Sequence, residues 1–197
     1  MRKFFACIAF VFLFSNTTFG QSEEYFVTFD NDTVYVDFRI MLSLGFYNLT
    51  WQMKYNDSLG EVGKLSPKHA REVYLCVEGE QYHFISILNT PRLPSPPTLS
   101  GLRFFAVLKV DGYLKLVTYY GMTLWGFSPY PDIRNIMIKP DNEMLFLNQF
   151  GIRKKIMKFL SDCPELVQKL KEKDKSLKWD DQITRYYNLH CGSRQGK

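Results

Sequence analysis

The sequence feature that most constrains the fold is the pair Asp111 and Gly112, which separates two alternating apolar runs in the segment LRFFAVLKVDGYLKLVTYY. Asp-Gly in this setting predicts a β-hairpin, because a two-residue type I′ turn needs positive φ angles at both positions. The alternation on either side is the two-residue period of a strand with one buried face. We therefore expect an antiparallel hairpin that turns at Asp111 and Gly112.

The same alternation and similar turn residues recur between Tyr25 and Leu147. The clearest single strand is YNLTWQMKY, in which every second residue is a large apolar or aromatic one. Short polar residues and glycine mark the turns between strands, because they supply local hydrogen bonds or accept positive φ. We predict further hairpins with turns at residues 30–32, 78–79 and 139–142.

Two segments interrupt this pattern. NTPRLPSPPTLS contains four prolines and predicts an exposed connector, because proline cannot donate a backbone hydrogen bond to a neighbouring strand. LWGFSPYPDI, residues 124–133, mixes aromatics with glycine and proline and predicts a loop folded over one end of the sheet. Its rings Trp125, Phe127 and Tyr130 form a candidate interaction surface.

After Asn148 the spacing of apolar residues becomes helical and predicts three short helices. The second is expected to begin near Asp162, where an acid that can cap the helix precedes a proline tolerated in the first turn. Residues 148–197 hold 12 Lys or Arg against 6 Asp or Glu, in a chain whose net charge is +5. Because acids are interspersed with these bases, we interpret the basic tail as a solvated helical face.

The N-terminus has the layout of a secretory signal peptide. Arg2 and Lys3 precede an apolar run from Phe4 to Phe14, and small polar residues follow it up to Gly20. We expect residues 1–20 to be removed and the mature chain, without a transmembrane segment, to reside in the periplasm or outside the cell. Association with the outer membrane stays open.

The expected mature chain contains three cysteines, Cys76, Cys163 and Cys191, in a compartment where cysteines pair. Cys163 opens the second predicted helix and Cys191 follows the third, so an antiparallel helix pair would bring them together. We favour a Cys163–Cys191 disulfide and a buried, free Cys76 in a strand. The alternative, a thiol nucleophile at the helix start, lacks a recognisable partner residue.

Motifs that would indicate other chemistry are missing from the sequence. It has no P-loop, no dinucleotide-binding glycine pattern after a strand and no G-x-S-x-G. Its three histidines and its cysteines do not follow the spacing of zinc sites. We therefore expect no catalytic residue, cofactor, metal or nucleic-acid partner.

Two segments of the tail, LSDCPELVQKL and ITRYYNLHC, resemble the C-terminal signature of a group of uncharacterised secreted proteins of Bacteroidota bacteria. The segments LSPKHAREVYLCVEGEQYHFISI, FFAVLKVDGYLKLVTYY and NDTVYVDF look like the hairpins and early strand of that group. The resemblance implies an exported or envelope protein with no assigned reaction, and it supports the pairing of Cys163 with Cys191. It also implies O-glycosylation acceptors at Thr33 and Ser58, within the sequences DTV and DSL.

Together these observations predict one α+β domain over residues 21–197. A β-rich region, residues 21–147, would form an antiparallel sheet curled into a partly closed barrel or sandwich. A helical region, residues 148–191, would pack on it. The expected function is that of a non-catalytic binding or structural module of the cell envelope, with an envelope protein or surface glycan as partner. The alternative is a carrier that holds a small apolar ligand inside the curled sheet.

Overall fold

The fold is taken from a computed structural model of the chain. The structure describes residues 24–39, 52–88, 103–125 and 128–192, and for residues 122–125 and 128–132 the main chain alone. The predicted signal peptide and the proline-rich segment lie outside these ranges.

Within the described ranges the chain forms eleven strands and then three α-helices. The strands are β1 (Tyr25–Thr28), β2 (Thr33–Tyr35), β3 (Asp37–Phe38), β4 (Met53–Asn56), β5 (Val62–Leu65), β6 (Ala70–Val77), β7 (Glu80–Leu88), β8 (Arg103–Val110), β9 (Lys115–Trp125), β10 (Ser128–Ile138) and β11 (Met144–Phe146). The helices are α1 (Ile152–Phe159), α2 (Pro164–Lys171) and α3 (Asp180–His190), with a 3-10 turn at Lys175–Leu177 between the last two.

Eight strands form one antiparallel sheet in the order β11-β10-β9-β8-β7-β6-β1-β2, and β3-β4-β5 form a smaller one. The predicted α+β class, the antiparallel sheet and the three C-terminal helices are therefore confirmed. Strands β2 and β11 are the edges of the large sheet, and no pairing in the described ranges joins them. The sheet is thus not a closed barrel.

The predicted hairpins at residues 30–32, 78–79, 111–112 and 139–142 are all confirmed by antiparallel pairing. In the β6–β7 turn both Glu78 and Gly79 have positive φ, as a type I′ turn requires. The β8–β9 connection differs from the predicted two-residue turn. It spans residues 111–114, and of its residues only Gly112 has positive φ, at 142°.

The predicted loop at residues 124–133 is wrong, because the structure places most of it in the long hairpin β9–β10. Pro129 pairs with Leu124 and Pro131 with Met122. The two prolines are two residues apart, so their missing N–H groups face the same side of β10. That side has no strand partner next to residues 129 and 131, because β11 pairs only with residues 136–138 of β10. The prolines therefore break no ladder hydrogen bond.

Successive residues of the large sheet enter different cores, so its two faces are distinct. We call one the helix face. Helices α1 to α3 pack on the half of this face formed by β8, β9, β10 and β11, and the small sheet packs on the half formed by β1, β6, β7 and the start of β8. The other we call the cavity face; it carries the buried residues Phe104, Ala106, Val117, Ile136 and Ile138. Alternation along β8 shows the division, since Phe104 and Ala106 belong to the cavity face and Phe105 and Val107 to the helix face.

The start of α2 differs from its prediction by one residue. Cys163 is the N-cap, Pro164 is the first helical residue and Glu165 lies in the first turn, near the positive end of the helix dipole. Asp162 was predicted to cap the helix, but its carboxylate instead accepts a hydrogen bond from the Tyr187 hydroxyl of α3. This acid therefore ties two helices together.

The predicted disulfide is confirmed. Cys163 and Cys191 are bonded, with their Cα atoms 5.8 Å apart, and both are buried among the helices. Cys76 is free, but it is half-buried where the prediction expected full burial. Its position in β6 alternates with the buried Leu75 and Val77, so it belongs to the cavity face near the end of the strand.

Candidate binding cavity

The predicted interaction surface lies only partly within the described residues. Trp125 ends β9 and pairs with Ser128, while Tyr130 pairs with Thr123 in the same hairpin. Their side chains, and the whole of Phe127, lie outside the described part of the structure. The surface therefore stays a prediction, although the main chain of Trp125 and Tyr130 lies at the far end of the β9–β10 hairpin.

The two predicted glycosylation acceptors are both accessible. Thr33 is exposed at the start of β2, and Ser58 is exposed in the turn between β4 and β5. Asp57 organises that turn, because its carboxylate accepts hydrogen bonds from the amides of Leu59 and Glu61 at 2.9 and 2.8 Å. Modification at these sites stays a prediction.

A cavity of ≈ 440 Å³ lies along the large sheet, between the strand ends at Leu88 and Arg103 and the β8–β9 turn at Asp111. Its lining comes from six neighbouring strands, β6 to β11, and from two of their turns. The charged or polar side chains that line it are Arg71, Glu72, His83, Ser86, Arg103, Asp111, Lys115, Lys139 and Asn142. This cavity is therefore a candidate binding site.

The floor of the cavity is apolar. It is formed by cavity-face side chains of four strands, namely Ile85, Ile87, Leu108, Ile138 and Met144. Ile87 and Ile138 are almost fully buried, while Ile85, Leu108 and Met144 are partly exposed to solvent. A mixture of an apolar floor and a few convergent polar groups is the usual composition of a small-molecule site.

One charged group on the rim is centred on Glu72 of β6. Its Oε2 accepts hydrogen bonds from the Tyr74 hydroxyl at 2.9 Å and pairs with His83 Nε2 at 3.0 Å, and its Oε1 accepts one from Arg71 Nε at 2.9 Å. Burial alone would raise the pKa of Glu72, but the hydrogen bond from Tyr74 and the charge of Arg71 outweigh it and lower the pKa. Glu72 is therefore a carboxylate with both oxygens engaged.

His83 is held neutral by its surroundings. Burial lowers the pKa of His83, and the nearby Glu72 carboxylate offsets this only in part. A neutral imidazole that donates its Nε2–H to Glu72 leaves Nδ1 as a hydrogen-bond acceptor. Asp111 and Lys115 also influence the pKa of His83, so the two charged groups of the rim lie near one another.

Aromatic rings extend this side of the rim across the sheet. Tyr35, Tyr25, Tyr74 and His83 are successive cross-strand partners on β2, β1, β6 and β7. Their ring centroids are 5.7, 4.5 and 4.0 Å apart, and the last two pairs are stacked. The two inner rings, Tyr25 and Tyr74, therefore each have a ring neighbour on both sides.

A second charged group lies on the β8–β9 turn. Asp111 accepts hydrogen bonds from the Gly112 amide at 2.8 Å and from the Lys115 ammonium. Burial raises the pKa of Asp111, but the hydrogen bonds from Lys115 and Gly112 prevail and lower it. Asp111 is thus ionised and paired with Lys115 at neutral pH.

The tail holds this turn in place. Asn188 of α3 accepts a hydrogen bond from the Leu114 amide at 2.7 Å and donates to the carbonyls of Leu114 and Asp111 at 2.9 and 3.2 Å. The approach is so close that a Cβ on Gly112 would lie 2.4 Å from Asn188 Nδ2. Glycine is therefore required at this position for the turn and the helix to meet.

Residues 162–164 (DCP) and 187–191 (YNLHC) of the tail contain side chains that contact other parts of the fold. Asp162 accepts from Tyr187, Cys163 is bonded to Cys191, Pro164 begins α2, and Asn188 binds the β8–β9 turn. Burial and the hydrogen bond to Asp162 raise the pKa of Tyr187, so its hydroxyl stays a donor. These residues therefore connect the helices to each other and to the sheet.

Sequence reasoning expected a cavity only under the carrier alternative, and it predicted neither the position of the cavity nor its charged groups. One signal was present, because a two-residue turn at Glu78 and Gly79 fixes the register of β6 and β7 and puts Tyr74 opposite His83. Arg103 lies in β8 and Asp111 in the turn that follows it, and both are joined to this hairpin through residues outside the described ranges, so no local pattern indicated their position.

Comparison with known proteins adds no family to this description. A scan against protein-family models, a search of curated proteins and a search of solved structures found no match. In the described ranges no helix is both long and apolar enough to cross a bilayer. The same ranges contain no group of three or more His, Cys, Asp or Glu side chains placed to hold a metal ion.

Proposed function

We propose that this protein is an exported, non-catalytic binding module of the cell envelope and that its binding site is the cavity. The observation that carries the proposal is a cavity of ≈ 440 Å³ with an apolar floor and a charged rim. A volume of this size suits a small molecule or the end of a larger one.

The state of the rim favours binding over catalysis. Both oxygens of Glu72 are occupied by three partners, and Asp111 is paired with Lys115. Groups that satisfy one another in this way are rigid and give a ligand a fixed pattern of donors and acceptors. A ligand would hydrogen-bond to the remaining positions, among them Nδ1 of His83.

The residues that line the cavity also bear on the curvature of the sheet. Glu72 on β6 and Met144 on β11 border one cavity, yet these strands would lie about 24 Å apart in a flat sheet with ordinary strand spacing. We therefore propose that the sheet curls toward its cavity face, as a partly closed barrel or sandwich would.

A carrier of a small apolar ligand is the second candidate function. It is favoured by the floor of Ile85, Ile87, Leu108, Ile138 and Met144, which would cover an apolar body on one side. An envelope protein or surface glycan could instead contact the mouth of the cavity, or the aromatic end of β9–β10 at Trp125 and Tyr130.

Export and affiliation are part of the proposal. The leader-like N-terminus supports secretion to the periplasm or the cell exterior, and a disulfide is typical of such compartments. The resemblance of the DCP and YN..C segments supports an affiliation with the Bacteroidota group, and in this chain Asp162, Cys163, Tyr187 and Asn188 of those segments make structural contacts.

The proposal is tested by loading the purified protein with lipid and glycan extracts of its own cell envelope. Native mass spectrometry under non-reducing conditions then identifies any bound molecule. Leu108→Trp projects a larger side chain into the cavity, and Leu189→Trp makes the same change on the exposed side of α3. Thermal unfolding of each variant checks that it folds.

We expect the wild type and the Leu189→Trp variant to retain the same ligand and a folded Leu108→Trp variant to lose it. Equal retention by both variants would refute the cavity as the binding site. Conversion of the ligand to a new product during incubation would refute the non-catalytic assignment.

A further inference from the structure

His83 borders the apolar floor on the cavity face of the sheet. It precedes Ile85 by two residues on β7, so the alternation of the strand places both side chains on the same face. The register pairs Phe84 with Val107, and one step further along the two strands brings Leu108 across from His83. His83, Ile85 and Leu108 all line the cavity. A ligand that covers this part of the floor therefore meets the imidazole ring.

The charged groups beside this ring neutralise one another. Arg71 pairs with Glu72 at 2.9 Å, and Lys115 pairs with Asp111. Both oxygens of Glu72 already accept hydrogen bonds, and Asp111 accepts from Lys115. Two cations thus face two carboxylates, and the four groups together carry no net charge.

The other two cations of the lining are directed elsewhere. The ammonium of Lys139 lies 3.7 Å from Glu143 and 3.6 Å from Asp162, which precedes α2. Arg103 precedes the helix-face residue Phe105 by two positions on β8, so its side chain lies on the helix face. On the cavity face, the described lining residues therefore offer an ion no unpaired opposite charge. Because an ion buried without a partner is costly, the part of a ligand that lies on the floor is uncharged.

His83 provides one unused hydrogen-bond acceptor. Its Nε2 lies 3.0 Å from Oε2 of Glu72, and because a carboxylate only accepts hydrogen bonds, the ring proton is on Nε2. Burial lowers the pKa of His83, so the ring is neutral at neutral pH and Nδ1 carries a lone pair. The two nitrogens point away from each other, so Nδ1 is directed away from Glu72. Within the described residues no group donates a hydrogen bond to this nitrogen.

We infer that the cavity binds an uncharged amphiphile, with its apolar body along Ile85 and Leu108 and a hydroxyl group that donates a hydrogen bond to Nδ1 of His83. This inference rests on the proposed function and names the ligand class for the same site. A hydroxyl is the smallest uncharged group that supplies the missing donor. A carboxylate in its place has no proton to donate, and an ammonium would bring an unpaired charge into the cavity.

The test uses protein purified from an exporting host after expression of the full chain. Isothermal titration calorimetry at about pH 8, where the imidazole is neutral, measures the binding of four probes below their aggregation concentrations. Decanol has the proposed hydroxyl, and its isomer nonyl methyl ether has the same atoms but no O–H. Decanoate and decylammonium are the charged probes. His83→Leu removes the acceptor, and His69→Leu makes the same change at an exposed histidine outside the cavity lining as a matched control.

We expect the ratio of decanol affinity to nonyl methyl ether affinity to fall by about threefold to tenfold in His83→Leu and to stay unchanged in His69→Leu. Comparison of ratios cancels the different hydration of the two probes and the general effect of a substitution on packing. Decanoate and decylammonium should bind the wild type about tenfold more weakly than decanol, or more weakly still.

If His83→Leu fails to fold, nitrogen NMR of the wild type serves in its place. Decanol should shift the resonance of the unprotonated nitrogen of His83, and nonyl methyl ether should leave it unchanged. Equal shifts with both probes would overturn the inference.

An unchanged affinity ratio in His83→Leu would also overturn it, and so would a decanoate or decylammonium affinity that equals or exceeds that of decanol. Failure of all four probes to bind, together with an envelope ligand whose retention still depends on Leu108, would reject this ligand class and leave the proposed function standing. Loss of both results would reject the two together.

Discussion

Asn188 satisfies both backbone groups of Leu114, although the two residues are 74 positions apart in the chain. Its Oδ1 accepts from the Leu114 amide at 2.7 Å and its Nδ2 donates to the Leu114 carbonyl at 2.9 Å. A side-chain amide thus imitates a strand neighbour at the point where the β8–β9 turn would otherwise have unpaired groups. Because the same turn carries Asp111, helix α3 and the cavity rim are structurally linked.

Replacement of Asn188 should loosen this link. Asn188→Ala removes three hydrogen bonds and leaves partly buried backbone groups without partners, so we expect a loss of about 2–3 kcal/mol in the free energy of unfolding. Urea denaturation measures the loss, and hydrogen exchange should accelerate at the Leu114 amide. The neighbouring exposed change Leu189→Ala should alter stability by less than about 0.5 kcal/mol. Equal stability of the two variants would contradict the account.

Gly112 should be energetically coupled to Asn188. Gly112→Ala places a Cβ 2.4 Å from Asn188 Nδ2, so it should destabilise the wild type by about 1–3 kcal/mol and the Asn188→Ala variant by less. A double-mutant cycle should give a coupling energy of about 1 kcal/mol or more. Gly60→Ala is the control, because Gly60 also has positive φ but a Cβ added there would meet no atom within 4 Å. It should show no coupling.

The disulfide should provide much of the tail's stability. Its cysteines are 28 residues apart, and the chain-entropy relation gives about 3–4 kcal/mol for a loop of that size. Replacing both Cys163 and Cys191 with alanine should lower the unfolding free energy by this amount, while Cys76→Ala changes it little. Thiol titration of the denatured, unreduced mature protein should detect one thiol. Three would show that the disulfide is absent.

The hydroxyl of Tyr187 should contribute to stability separately from its ring. Tyr187 is fully buried and donates to Asp162, which also lies 3.6 Å from Lys139. Tyr187→Phe leaves the ring packing intact and removes the donor, so we expect a loss of about 1–3 kcal/mol in chemical denaturation. A neutral result would mean that Asp162 is not held by this bond.

His83 should make the fold sensitive to mild acid. Its pKa is lowered from the ordinary value of 6.5, so the unfolded chain takes up a proton before the folded one does. The stability that depends on neutral His83 is therefore complete above about pH 6.5, and it falls as the pH decreases toward the lower pKa of His83 in the folded protein. Glu72 and Tyr74 contact the ring, and the charges of Asp111 and Lys115 also act on it. The pKa values of the two acids, Glu72 and Asp111, are lowered from 4.5 and 3.8 and lie below this window.

Unfolding free energies measured at about pH 7.5 and about pH 5.5 test this dependence. The wild type should lose stability between the two, whereas His83→Gln should lose less, because glutamine can still donate to Glu72 but does not titrate. An identical decrease in both proteins would assign the effect to other groups.

Local patterns predicted the hairpins and the tail, for reasons that the residues make clear. Glu78 and Gly79 form the tight turn that their positive φ values permit, and Cys163 and Cys191 flank helices that pack on each other. The segment with Pro129 and Pro131 was predicted to be a loop, because its sequence does not reveal that one side of β10 has no strand neighbour.

The cavity depends on contacts that no local pattern contains. His83 and Asp111 lie on different hairpins, and the long connection before β8 leaves their relative position open until the sheet is assembled. Asn188 reaches the β8–β9 turn because the helices fold back on the sheet, a long-range contact that the sequence around the turn does not contain.

The central claim is that ligands bind in the cavity and not at the aromatic end of β9–β10. Hydrogen exchange with mass spectrometry, performed before and after loading with envelope extract, tests it most directly. We predict new protection in residues 83–88, 103–111 and 138–144, which border the cavity. Protection confined to residues 122–133, with no change around the cavity, would contradict the account.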